Sequence, residues 1–89
     1  MAWIIKYTET ASKQLKKLDR QVARRILDFM ELRVSIHEDP RSLGKPLLGP
    51  KLGQYWRYRV GDCRVICAIE DRQLQILVIQ VGSRLEIYR

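Results

Sequence analysis

Histidine and phenylalanine each occur once in this 89-residue chain, cysteine twice, proline three times and glycine five times. One histidine, His37, and two cysteines, Cys63 and Cys67, are too few ligands for a closed zinc site. The cysteines sit four positions apart in a strand-like run, so at about 3.3 Å per residue they lie roughly 13 Å apart, beyond disulfide reach. They read as buried free thiols, which fits a reducing, cytoplasmic compartment. No apolar run approaches the roughly 18 residues of a membrane-spanning helix, so no membrane partner is expected. The opening Met1-Ala2-Trp3-Ile4-Ile5-Lys6-Tyr7 is charged too soon for a signal peptide. Acidic residues are also short: 10 against 17 Lys and Arg, a net charge of +7. With 46% hydrophobic residues and little Gly or Pro, a disordered basic tail is excluded. A single domain with an anionic partner is expected, over residues 1–89.

The N-terminal half has helical punctuation. Ala2 to Tyr7 is an apolar–aromatic run with one lysine and reads as a first strand. Thr8 or Thr10 is placed to cap a helix, and Ala11, Leu15 and Leu18 follow at helical spacing. Asp19 caps a second helix, with Val22, Ala23, Ile26, Leu27, Phe29, Met30 and Val34 on a broad apolar band. The two helices read as an antiparallel hairpin. The second should end near His37, ahead of Asp39-Pro40. Residues 40–53 hold all the prolines and read as a loop whose Leu43, Leu47, Leu48 and Leu52 pack back onto the core.

The C-terminal half is β in character. Tyr55 to Val60 and Cys63 to Ile69 flank Gly61-Asp62, a two-residue turn signal. Glu70-Asp71-Arg72 makes a second turn, Leu74 to Val81 a nearly continuous apolar strand, and Gly82 its end; Leu85, Ile87 and Tyr88 form a short closing segment. The order is β-α-α-β-β-β with a C-terminal tail. It describes a small α+β domain, an N-terminal strand and helical hairpin packed on a mainly antiparallel sheet.

Charge is concentrated in one stretch. Arg41, Lys45, Lys51, Arg57, Arg59 and Arg64 fall between positions 41 and 64 with a single acid near them, Asp62. Arg57 and Arg59, two apart, project from one strand face, Arg64 continues that face across the turn, and Arg84 follows Gly82. Arginines on a sheet face grip phosphates through paired hydrogen bonds. Tyr55, Trp56, Tyr58 and Tyr88 lie among them, suited to stacking on unpaired bases. An ordinary solvated face above a core face is the competing reading, and because Trp56 and Tyr58 share the opposite face, at least one belongs to the core. Lys13, Lys16, Lys17, Arg24 and Arg25 read as solvated helix surface, and His37 as a helix-end residue.

The segment Gln54-Tyr55-Trp56-Arg57-Tyr58-Arg59-Val60-Gly61-Asp62-Cys63-Arg64-Val65-Ile66 resembles the central hairpin of the RelE/ParE toxin superfamily. Val81-Gly82-Ser83-Arg84-Leu85-Glu86-Ile87-Tyr88 resembles its C-terminal signature, and the order of elements agrees along essentially the whole chain. The resemblance implies the toxin of a bacterial toxin–antitoxin pair. Its RelE branch implies a ribosome-dependent endoribonuclease that cuts mRNA in the ribosomal A site, without metal or other cofactor. Its ParE branch implies an inhibitor of DNA gyrase without nuclease activity. An inactive relative, or a plain basic nucleic-acid-binding domain, is a third possibility.

The positions that match the RelE set are Arg57, Arg59, Arg64, Arg84 and Tyr88, and retention of the last two favours the nuclease. RNA cleavage by 2′-hydroxyl attack needs in-line geometry, a base, stabilisation of the phosphorane and a proton for the 5′ oxygen. Arginines can lower a nearby tyrosine's pKa from about 10. Tyr88 is then the candidate general base, Arg64 and Arg84 the transition-state clamps, and Lys51, Arg57 and Arg59 the phosphate-binding residues. Ser83 stands where relatives often carry His or Lys, and Cys63 where an aromatic residue commonly precedes the arginine. The implied partners are a RelB-type antitoxin, in a higher hetero-oligomer, and the ribosome with mRNA in its A site.

Overall fold

Thr8 sets the first helix. Its hydroxyl accepts from the Ala11 amide at 3.1 Å and donates to the Ile79 carbonyl at 3.1 Å, tying a helix start to the far strand. In the computed structural model, which describes residues 2–48 and 54–83, this cap separates β1 (Ile4–Tyr7) from α1 (Glu9–Lys17). Extended backbone at Leu18 ends α1, and Asp19 at once caps α2 (Arg20–Asp28), accepting from the Gln21 amide at 3.0 Å.

Beyond Asp28 the helix continues as a π-helical segment, Phe29–Val34, with the Ser35 amide bonded five residues back to the Met30 carbonyl at 2.9 Å. The apolar band runs Ile26, Met30, Val34, two successive steps of four. On an α-helix each such step drifts by about 40° around the axis. A wider turn counters the drift, and all three side chains are fully buried. The segment is fastened to β1 by two bonds, from the Trp3 amide to the Ser35 carbonyl and from the Ser35 hydroxyl to the Trp3 carbonyl.

A 3-10 turn (Pro40–Leu43) leads to β2 (Lys45–Pro46), a two-residue strand inside the expected loop. Gly44 between them is required by close approach, because a Cβ there would fall 2.3 Å from the Arg57 carbonyl oxygen. Of the loop leucines, Leu43 packs against the core, Leu48 is 86% exposed, and Leu52 lies outside the described residues. Then come β3 (Tyr55–Val60), β4 (Cys63–Glu70), a 3-10 turn (Asp71–Gln73) and β5 (Gln75–Ser83). Gly82 does not end the last strand; it lies within β5, opposite Arg64.

The five strands form one sheet in the order β1-β5-β4-β3-β2, antiparallel except for the parallel β1–β5 pair. Ala11, Leu15, Ile26, Met30 and Val34 pack onto one sheet face, against Tyr58, Val60, Cys63, Val65, Cys67, Ile76, Val78 and Val81. Each such large apolar side chain contributes roughly 1.5–3 kcal/mol by leaving water. Both cysteines are buried and neither forms a disulfide, as expected. No helix among the described residues is long and apolar enough to cross a membrane.

Candidate nucleic-acid interface

The β3–β4 hairpin folds around Gly61, whose φ of +60° a side chain would strain. Its register is continuous from Tyr55 opposite Ala68 to Val60 opposite Cys63. Alternation then sorts the side chains. Tyr58 and Val60 of β3, and Cys63, Val65 and Cys67 of β4, go to the helix-covered core. Arg57, Arg59 and Arg64 go to the other face, where Arg59 and Arg64 are directly opposed. Like charges facing across a ladder are unfavourable without an anion between them.

These three arginines line a pocket of about 270 Å³ together with residues 42–45, and among the described residues no acid lines it. Lys45 enters because β2 pairs with β3, placing it opposite Arg57. Arg64 is only 4% exposed; its Nη1 donates a long 3.5 Å bond to the Cys63 carbonyl, and its buried Nε has no partner among the described residues. Gly82, opposite it on β5, adds no side chain to crowd the guanidinium. A buried cationic donor without an acceptor is costly, and a phosphate oxygen satisfies both its charge and its N–H.

Of the expected phosphate grips, Arg57, Arg59 and Arg64 are therefore brought together. Lys51, Arg84 and Tyr88 lie outside the described residues, as does the closing segment. Arg41 is withdrawn from the basic set. It forks onto the Asp71 carboxylate through bonds of 2.9 and 2.8 Å, which hold Asp71 below the usual carboxylate range. Lys45 belongs to the basic stretch, but its place opposite Arg57 falls inside the expected loop, because a two-residue strand leaves no periodicity to read.

Two of the aromatics suggested for base stacking are committed elsewhere. Tyr58 is fully buried, donates to the Pro40 carbonyl at 2.8 Å and meets Phe29 edge-on at 5.8 Å. Trp56 donates to the Arg41 carbonyl at 3.1 Å beneath the Arg41 guanidinium. Burial pushes the Tyr58 phenol far above its ordinary value, and burial with Glu31 does the same for Tyr7. Neither serves as a base near neutral pH. His37 accepts from the Asp39 amide at 3.0 Å and is not among the pocket's lining residues. The described part of the pocket thus holds fixed cations and no group with an ordinary pKa near neutrality. Such a set of groups can offer charge and hydrogen bonds to an anion and holds no proton shuttle of its own among the described residues.

A small α+β domain with a buried arginine in a cationic sheet-face pocket defines a class of anion-directed proteins. Residues 5–88 match the family described as the ParE toxin of the type II toxin–antitoxin system, parDE, and the chain belongs to that family. It is 28% identical over 89 residues to Toxin RelG of Mycobacterium tuberculosis, covering 100% of this chain and 99% of that protein. To Toxin RelE of the same organism it is 32% identical over 82 residues, 92% of this chain and 81% of that one. Among solved structures, the RelBE2 toxin–antitoxin complex of M. tuberculosis superposes with a TM-score of 0.85 at 25% identity, over 94% of this chain and 93% of that one. The chain is a toxin of a toxin–antitoxin pair in the RelE/ParE superfamily, and its mixed five-stranded fold is the RelE-like one.

Proposed function

We propose that this toxin is a ribosome-dependent endoribonuclease that cuts mRNA in the A site and so inhibits translation. The observation that carries the reading is Arg64: buried, with an Nε that has no partner among the described residues, in a pocket whose described lining holds cations and no acid. Relatives named RelE and RelG support the same branch. In this reading the 2′ oxygen attacks the adjacent phosphorus, the bond to the 5′ oxygen breaks, and negative charge accumulates on the equatorial oxygens. Arg64 and Arg84 stabilise that charge, where fixed donors act most strongly. Arg57, Arg59 and Lys51 orient the phosphate, Tyr88 takes the 2′-hydroxyl proton, and the departing 5′ oxygen takes a proton from water, leaving a 2′,3′-cyclic phosphate. The ribosome supplies the in-line geometry that an 89-residue domain does not have to build for itself. A RelB-type antitoxin, acidic enough to cover the cationic face, holds the toxin in check in a hetero-oligomer.

The match to a ParE family model favours a second reading, a gyrase inhibitor without nuclease activity. Expression without antitoxin separates the two. The nuclease reading expects growth arrest with transcripts cut at A-site codons; arrest with intact transcripts and DNA-damage signalling assigns the toxin to gyrase instead.

A further inference from the structure

Arg59 lines two pockets, not one. Besides the pocket around Arg64, it borders a second, of about 340 Å³, between the β3–β4 turn and the end of α2. The floor of this second pocket is Val60 and Phe29, and its rim carries Arg25 and Arg33. Phe29 is braced edge-on by the buried Tyr58, and the Arg33 guanidinium lies 5.2 Å from the Phe29 ring centre. Arg25 rests over Gly61: a Cβ there would come within 3.2 Å of its Nη1, so the bare glycine makes room for the guanidinium. Among the described residues neither Arg25 nor Arg33 forms an ion pair. The single acid in the pocket, Asp28, is engaged by Arg24 at 3.4 Å.

We infer that this second pocket is a nucleotide subsite of single-stranded RNA, with a base stacked at Phe29 and Arg33 and flanking phosphates on Arg25 and Arg59. The inference rests on the RNA-directed reading of the first pocket and extends it around the hairpin turn. A braced ring beside a flat guanidinium is a stacking platform that accepts any base, and the flanking cations track the backbone. An acidic protein segment would meet the same arginines and set an apolar side chain on the ring, and the antitoxin-binding arm of the test separates that occupant from RNA. Because one guanidinium serves both pockets, a strand whose scissile phosphate lies at Arg64 is led by Arg59 toward Phe29. The nucleotide next to the scissile phosphate is held here whatever its base, apart from the chemistry.

The test uses the full-length toxin and oligouridylates carrying one 5-iodouridine, irradiated at low salt, with the crosslinked peptide mapped. The expected result is a crosslink at Phe29 that falls at least about fivefold in Arg25→Ala and in Arg33→Ala, the loss of one stacking or phosphate contact. Gly61→Asn keeps the left-handed turn while crowding the Arg25 side, and should weaken the same crosslink. No crosslink at Phe29 in the parent protein, or one unchanged in the Arg25→Ala/Arg33→Ala double variant, overturns the inference. So does loss of antitoxin binding in that double variant with the RNA crosslink intact, which would make the pocket a protein contact. Cleavage on programmed ribosomes, assayed in parallel, tests the nuclease reading separately: a parent that crosslinks at Phe29 without cutting keeps the subsite and loses the nuclease.

Discussion

The two faces of the β3–β4 hairpin are made by alternate residues of the same strands, yet they obey opposite rules. On the helix side, Tyr58, Val65 and Cys67 are fully buried, and the phenol of Tyr58 has its acceptor. On the other side, Arg57, Arg59 and Arg64 crowd like charges together and leave a buried N–H without a partner. The first face is optimised for folding. The second carries a cost that folding alone does not explain, which is how a binding site differs from a core.

The sharpest way to break that contrast is to exchange Arg64 for methionine, which fills similar space without charge. Nuclease activity should fall by about 10²–10³-fold, as for loss of one transition-state donor. Stability, by chemical denaturation, should be unchanged or higher by about 1 kcal/mol, because an unpaired buried cation is removed. On the core face the signs reverse. Met30→Ala should cost about 2–5 kcal/mol in denaturant, with residual activity in the folded fraction close to the parent's. Tyr58→Phe keeps the ring and loses the bond to Pro40, for about 1 kcal/mol.

Alkali should attack the core face as well. Burial pushes the Cys67 thiol up from its ordinary value of 9.0, so the unfolded chain releases that proton first. Its contribution is full below pH 9 and falls as pH rises above it, by up to about 1.4 kcal/mol per pH unit. Tyr7 and Tyr58, raised in the same sense from 10.0, steepen the loss above pH 10. Denaturation between pH 8 and 10 should show this slope, shallower in Cys67→Ala. The smallest effect belongs to the exposed Arg41–Asp71 pair: Asp71→Asn should change stability by no more than about 0.5 kcal/mol, and that difference should shrink in high salt.

How much of this was readable beforehand follows the same division. The hairpin announces itself, because Gly61-Asp62 sits between alternating runs and alternation alone puts Arg57, Arg59 and Arg64 on one face. Asp19 was legible as a cap, and Thr8 as one of two candidates with Thr10, because such side chains act on amides two or three residues away. Features made by tertiary contact were not. β2 exists only because β3 offers an edge, so Lys45, already counted in the basic stretch, gave no local sign of its place opposite Arg57. The π-helical segment answers to the sheet beneath Met30 and Val34. Arg41 left the basic cluster for Asp71, thirty positions along the chain, and Gly82 stays in β5 because β4 pairs with it. Arg25 read as solvated helix surface, and Arg33 carried no sequence signal of its own, until the fold set them beside Phe29 and the turn.

One measurement bears most directly on Arg64 as the centre of an RNA-cleaving site: cleavage of ribosome-bound mRNA by the purified toxin, parent against Arg64→Met, with folding of both verified. Cuts at A-site codons by the parent, reduced at least about 100-fold in the folded variant, are expected. Equal cleavage by both proteins, or none by a folded parent, would contradict it.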